Sequence, residues 1–407
     1  MYKKIYVIIL ILILFYLYNN LYNTYLNREN FYTFFLPFYE YEIPDKKNIY
    51  NTKISNLNYL KNEFIYRPLK FGLVLFDMNE DNSNIKFINN IIKILLKSTN
   101  ILNIELVYLK NMEIASKMLN NNKLDILYCT TPILNSLINN KLSIENIDYI
   151  CSLNFEYMYL ISNTMNRYNN IKDIKGKKIG ILNINNSTFI KYKIILDELT
   201  VVLGYKEGTD YEIEYSSTIN NLMFKLDNKL IDFIFYTDSY PSADLNRIFK
   251  NDIYNKYFII PINVNNKLLS STIRYYVPST VDLNFIENYL PKKIGNTTQT
   301  RNKPNIETYK YQNVICCTKN LNKKIGYEIT KAIYNNINII NKNNIDSNTR
   351  MYKYNMIGSP MSIKYNQGAF DFYIEKGFIT YNPRKECKYL VGNKKCTDNI
   401  LMNMKLI

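Results

Sequence analysis

The sequence predicts an α/β protein built on mainly parallel sheet flanked by helices. Short apolar strands alternate with helical segments over residues 68–250, the order that produces a parallel sheet with right-handed crossovers. Several strands end in polar loops that open the next helix, at the sheet edge where ligands of such folds bind. The length, 407 residues, is enough for two lobes with separate cores.

The first strand is residues 69–76 (LKFGLVLF). A polar loop from Asp77 to Asn84 follows, then a helix over about 85–96. Residues 104–109 give the second strand and 112–119 a helix. The buried strand 124–128 (LDILY) then ends at Cys129-Thr130-Thr131-Pro132. Asp77, Thr130 and Thr131 are the polar loop residues of this first part. Residues 149–162 (YICSLNFEYMYLIS) form one long extended run.

Beyond it, a basic turn with Gly176 leads into the strand 179–182, and the loop Asn183 to Thr188 opens a helix with Ile190, Ile194, Ile195 and Leu199 on its apolar side. The first N–H groups of a helix have no internal partner and carry the positive end of its dipole, so Asn186, Ser187 and Thr188 sit at a candidate anion site. The same three residues also suit a simple N-cap, and both readings stand. Residues 211–215 read as a strand, 219–230 as a helix and 231–236 (IDFIFY) as a buried strand. The latter ends in Thr237-Asp238-Ser239-Tyr240-Pro241 before a helix start at Ser242. Thr237, Asp238 and Tyr240 complete the candidate ligand-binding set.

Several blocks carry a family resemblance. NNIKDIKGKKIGI (169–181) resembles the lead-in to the second lobe of type II periplasmic binding proteins. KLIDFIFYTDSYPSADL, NVICCTKNLNKKIGYEITKAIYNNI and PMSIKYNQGAFDFYIEKGF resemble, in order and rough spacing, blocks of the TAXI family of TRAP-transporter solute receptors over about residues 68–380. Three features depart from that family. Its glycine-rich loop appears as Asn185-Asn186-Ser187-Thr188, its glycine before the turn proline as Ser239-Tyr240, and its C-terminal histidine as Asn366.

The resemblance implies a two-lobed periplasmic-binding-protein type II fold, with two mixed, mainly parallel sheets flanked by helices and a hinge between the lobes. Lobe 1 would be discontinuous (68–155 and 260–380), lobe 2 would span 156–259, and 381–407 would be a tail. Such a protein closes on a small anionic ligand, an amino acid or dicarboxylate, and a membrane transporter is its candidate partner. Its site binds rather than catalyses, so no enzyme activity and no cofactor are expected. Two alternatives accompany this reading. One is a degenerate binding-protein fold kept as a surface or structural protein, which the lost glycines favour. The weaker one is an enzyme like the thiamine-pyrimidine synthase that shares the fold.

The chain contains no histidine, which excludes Ser-His-Asp and Cys-His catalysis and histidine-ligated metals. The thiamine-pyrimidine-synthase alternative needs that histidine and a cysteine-rich segment. No CxxC occurs, and Gly176-Lys177-Lys178 lacks the rest of a phosphate-binding loop. Net charge is +16, but the lysines are dispersed with no arginine-rich aromatic face, so nucleic-acid binding is not expected. Asparagine and lysine runs such as 120–122 and 341–344 read as surface loops.

Met1-Tyr2-Lys3-Lys4 precedes the uncharged run 5–18 (IYVIILILILFYLY), and no small residues suited to cleavage follow. A retained signal-anchor over residues 1–22 is favoured over a cleaved signal peptide. It would leave Lys3 and Lys4 cytosolic and the rest extracytoplasmic or lumenal. Residues 23–67 would be a stalk or adaptor, with 31–38 (FYTFFLPF) packed on the lobe or lying at the membrane. Of six cysteines, Cys387 and Cys396 are the candidate disulfide, Cys129 and Cys151 a second possible pair, and Cys316 and Cys317 core residues. Asn185, Asn186 and Asn296 head N-x-Ser/Thr sequons. A glycan on Asn186 in a eukaryotic secretory pathway would block the candidate cleft.

Overall fold

The computed structural model describes residues 68–379 apart from the segments 75–82, 100–103, 110–111, 140–141, 164–167, 184–185, 253–255, 265–274, 284–292, 295–296, 299–304, 344–349 and 359–362. Side chains at 83–84, 186–188, 293–294 and 297–298 are likewise outside the description. The anchor, the stalk, Asp77, the C-terminal tail and the Cys387–Cys396 pair all lie outside the described residues. Among the described residues no helix is long and apolar enough to cross a membrane.

The first part runs β1 (Leu69–Val74), α1 (Ser83–Ser98), β2 (Ile104–Leu109), α2 (Met112–Asn120), β3 (Ile126–Thr130) and α3 (Thr131–Asn139), and then enters β4 (Ile147–Asn163). The second runs β5 (Lys177–Leu182), α4 (Asn186–Leu203), β6 (Tyr211–Ser216), α5 (Ile219–Asp227), β7 (Phe233–Asp238) and α6 (Ala243–Lys250). The chain then adds β8 (Tyr257–Ile260), β9 (Val277–Asp282) and the two-residue antiparallel partners β10 (Lys293–Ile294) and β11 (Thr297–Thr298). It closes with β12 (Asn305–Thr318), α7 (Lys323–Asn335), α8 (Ile337–Asn343) and α9 (Gln367–Glu375).

The main sheet has the strand order β2-β1-β3-β12-β4-β7-β5-β6, with β8 on β4 and β9 on β12. β1 is parallel to β2 and β3, and β5 is parallel to β6 and β7. β12 and β4 are antiparallel to each other and to the triplets they adjoin. Two parallel triplets therefore flank a pair of long antiparallel strands, and each half repeats the other's arrangement.

The expected pair of sheets is thus one connected ten-stranded sheet among the described residues. The cause is strand length. β4 has 17 residues, about 56 Å at 3.3 Å per residue, so its start pairs with β12 and its end with β7 and β8. β12 likewise pairs with β9 at Asn305–Lys310 and with β3 at Asn313–Cys317. β3 and most of β4 and β12 are buried, as central strands covered on both faces require.

Local differences from the sequence reading have local causes. The helix expected over 219–230 stops at Asp227, because Lys229 takes a left-handed backbone (φ 57°). The strand expected over 231–236 shifts to Phe233–Asp238, taking Thr237 and Asp238 into the ladder opposite Met158 and Tyr157. Asn186 to Thr188 form the first turn of α4 rather than the end of its loop.

Cys129 and Cys151 do not pair. Both are buried free thiols, and β12 separates their strands, since Cys129 lies opposite Val314 and Cys151 opposite Ile315. Two strand spacings are about 10 Å, beyond the reach of a disulfide. Burial raises both thiols well above their ordinary value. Cys316 and Cys317 are fully buried, as expected of core residues.

The closing block docks on β4, with Tyr149 N–H donating to the Lys364 carbonyl at 2.6 Å and Asn366 N–H to the Tyr149 carbonyl at 2.8 Å. Asn366, at the position of the resembled family's histidine, caps α9 by accepting from Gly368 N–H at 3.0 Å. Helices α7 and α9 approach so closely that a Cβ on Gly368 would lie 1.6 Å from the Lys323 carbonyl oxygen. Backbone must move to admit it, so Gly368→Ala is expected to cost about 1–3 kcal/mol in urea unfolding. Unchanged stability would show that this helix pair is not packed as described.

Candidate functional site

The two triplets meet at β4 and β12, and the side chains there are polar and buried. Glu156 of β4 is 3 % exposed. Its Oε2 accepts from Lys191 Nζ of α4 at 3.1 Å and from Tyr311 OH of β12 at 2.6 Å. Its Oε1 accepts from Asn313 Nδ2 at 3.2 Å. The Thr237 hydroxyl, at the end of β7, lies 3.0 Å from Tyr311 OH and 3.5 Å from Glu156 Oε2. Burial alone would raise the Glu156 carboxyl, but the Lys191 charge and the hydrogen bonds from Tyr311, Lys191 and Asn313 hold it below its ordinary value. Burial alone would lower the Lys191 ammonium, and Glu156 holds it above its ordinary value.

The sheet is irregular at this point. Gln312 to Val314 is two steps along β12, yet their partners Phe155 and Ser152 are three steps apart on β4, so β4 bulges here. Asn154 lies two residues from Glu156, on the same face of β4, where Asn313 Nδ2 also donates to Asn154 Oδ1 at 3.2 Å. Amide orientation follows from the carboxylate. Glu156 can only accept, so Asn313 must present Nδ2 to it, and Asn154 must in turn present Oδ1 to Asn313. Of the buried side-chain atoms without a hydrogen-bond partner among the described residues, four belong to Asn154 (Nδ2), Asn313 (Oδ1), Thr130 and Thr131 (hydroxyls). Thr130 is the ladder partner of Asn313, which places both side chains on one face. Thr131 is the first residue of α3. Each such group costs about 1–3 kcal/mol when buried unpaired, so the three on β3, β12 and β4, with Thr131 next along the chain at the start of α3, call for a reason.

A second polar cluster joins the halves. Glu198 of α4 accepts from Asn135 of α3 at 3.2 Å and from the hydroxyls of Tyr275 and Tyr276. Burial raises its carboxyl, and those three hydrogen bonds oppose the rise without cancelling it. The Tyr276 ring packs edge-on against Tyr311, 6.3 Å between centroids, which links Glu198 to the Glu156 cluster.

The structure brings Thr130, Thr131 and Thr237 to this junction. Asn186, Ser187 and Thr188 occupy the first turn of α4, the helix that delivers Lys191 one turn later. Asp238 turns to its own chain, accepting from the Ser242 hydroxyl and from Ser239 N–H at 2.7 Å, and so fixes the start of α6. Tyr240 lies apart. It donates to the Asp282 carbonyl at 3.1 Å and packs on Tyr157, whose side chain leaves β4 on the face opposite Glu156. Glu156, Lys191, Tyr311, Asn154, Asn313 and Glu198 escaped the sequence reading. The available signal was an acid and an asparagine inside the apolar run 147–163, because a buried charge is rare unless paired. Among the described residues no acid or cysteine cluster could hold a metal ion.

The chain belongs to the NMT1-like family, whose match covers residues 117–377. No curated protein matches it. Solved structures to which it is similar include XAC2383 from Xanthomonas citri bound to ATP, at TM-score 0.44 and 9 % identity, covering 69 % of this chain and 89 % of that one. A TctC solute-binding protein from Polaromonas is similar at TM-score 0.43 and 11 % identity, covering 76 % and 98 %. An ABC uptake transporter substrate-binding protein from Streptococcus pneumoniae with bound histidine is similar at TM-score 0.39 and 10 % identity, covering 73 % and 98 %.

Two outcomes are expected from substitution here. Lys191→Met leaves the Glu156 carboxylate buried without its cation and should lower unfolding free energy by about 3–5 kcal/mol. A loss under 1 kcal/mol would mean the pair is solvated. Burial pushes the Asp238 carboxyl up to about 7, against the hydrogen bonds from Ser242 and Ser239. Between about pH 4, the unfolded value, and pH 7, the folded chain holds a proton that the unfolded chain has released. Stability contributed by this group therefore falls as pH rises through that window. Urea titrations of Asp238→Asn at pH 5 and pH 8 should show that part of the fall removed, whereas an unaltered difference between the two pH values would contradict the assignment.

Proposed function

We propose that this chain is a solute-binding protein of the TAXI type rather than an enzyme. It would hold a small carboxylate-bearing solute, an amino acid or a dicarboxylate, between a lobe of residues 68–155 with 260–380 and a lobe of residues 156–259. The observation that carries the reading is the row of buried, unpartnered Thr130, Thr131, Asn154 and Asn313 groups beside the Glu156–Lys191 pair, where the two strand triplets meet. A bound solute supplies the missing partners, and the first turns of α3 and α4 add unpaired N–H groups and positive dipole ends. Closure is the expected motion, with Asn135 and Glu198 as a contact between the helices that would part. Residues 1–22 would anchor the protein with its main domain outside the cytosol, where a membrane transporter would receive the solute. The thiamine-pyrimidine-synthase alternative lacks its histidine in this chain.

One observation favours the degenerate-receptor reading. Lys191, a natural partner for a ligand carboxylate, is already paired with the chain's own Glu156. Thermal unfolding of the full chain in detergent, with amino acids and dicarboxylates at about one hundred times a working dissociation constant, separates the two. A binder gains about 2.7 kcal/mol, visible as a rise of a few degrees that Asn154→Ala diminishes. No rise with any solute, from folded protein, leaves the degenerate reading.

A further inference from the structure

Charge and hydrogen-bonding capacity at the junction narrow the solute. Lys191, mostly buried, brings one positive charge to this face and the buried Glu156 one negative, 3.1 Å apart. The network fixes what remains open. Asn154 Nδ2 needs an acceptor, Asn313 Oδ1 needs a donor, and the Thr130 and Thr131 hydroxyls take either. All four residues are at most 2 % exposed, so whatever satisfies them is itself desolvated. A carboxylate placed here without its own counter-charge would lie beside Glu156 with no free cation from these side chains, and a dicarboxylate would bring two such charges.

Granted the solute-binding reading, on which this rests, we infer that the protein selects a solute with no net charge, one that presents a donor to Asn313 and an acceptor to Asn154, in preference to an anion. A neutral amino acid meets both requirements. Its acceptor end faces Asn154 and the first turn of α3 at Thr131, and its donor end faces Asn313. Dicarboxylates are the disfavoured class, and Glu156 is the residue that disfavours them.

Two kinds of substitution follow from this assignment. Thr130→Val and Thr131→Val keep the shape and remove hydroxyls that have no partner. Each is therefore expected to raise the melting temperature of the ligand-free chain while weakening solute binding at least tenfold. Glu156→Gln leaves the Lys191 charge uncountered and is expected to improve dicarboxylate affinity at least tenfold.

The experiment is calorimetric titration of the full chain and these three variants with L-glutamine, L-serine, succinate and glutarate. Binding of a neutral amino acid at least tenfold tighter than either dicarboxylate, lost in the valine variants, supports the assignment. Succinate or glutarate binding the unsubstituted chain as tightly as the neutral amino acids overturns the charge selection and leaves the solute-binding reading standing. No binding of any of the four to the chain or to Glu156→Gln overturns both. Should Glu156→Gln fail to fold, the valine variants decide alone. A drop in their ligand-free melting temperature would show the hydroxyls to be internally satisfied and would end the assignment.

Discussion

The structure depends on a buried ion pair at its midline. Glu156 projects from β4 and Lys191 from α4, so the pair ties the longest strand to the helix that opens the second triplet. Neither charge survives there alone, because desolvation would drive each toward its neutral form. Tyr311, Asn313 and Thr237 complete the carboxylate's shell from β12 and β7. One carboxylate thus ties side chains from three other elements to β4, and through Asn313 it dictates the polarity of Asn154. The unsatisfied amide atoms of Asn154 and Asn313 follow from that polarity.

Continuity of the sheet puts this pair where it is. β4 and β12 each run past the midline and change partners on the way, so the two triplets share a central ladder. The bulge at Asn154 breaks the alternation of that ladder at the place where the triplets meet. The linkage continues outward through Tyr276 to Glu198 and Asn135, where α4 meets α3.

Most strands were legible in the sequence as short apolar runs that are bounded by polar loops and alternate with helical segments. β2 falls on the residues expected, and β6 differs from its expected span by one residue. Helix ends were less legible, since the stop at Asp227 depends on a left-handed Lys229 that no sequence rule requires. The site was legible only where it follows from loop position. Thr130 ends β3, Thr131 opens α3 and Thr237 is next to last in β7, so loop position finds them to within a residue. Glu156 and Asn313 lie within strands whose sequences read as core, and only the pairing of β4 with β12, 155 residues apart for Glu156 and Tyr311, gives them a purpose. The same insertion of β12 beside β3 separated Cys129 from Cys151.

The central claim is that the polar row across β3, β12 and β4 meets a solute. A crystal structure of the full chain grown with a saturating neutral amino acid tests it most directly. The account predicts the solute within hydrogen-bond distance of Asn154 Nδ2, Asn313 Oδ1 and the Thr131 hydroxyl, with the Glu156–Lys191 pair intact. Ordered water alone at those atoms, or a solute seated elsewhere on the sheet edge, would contradict it.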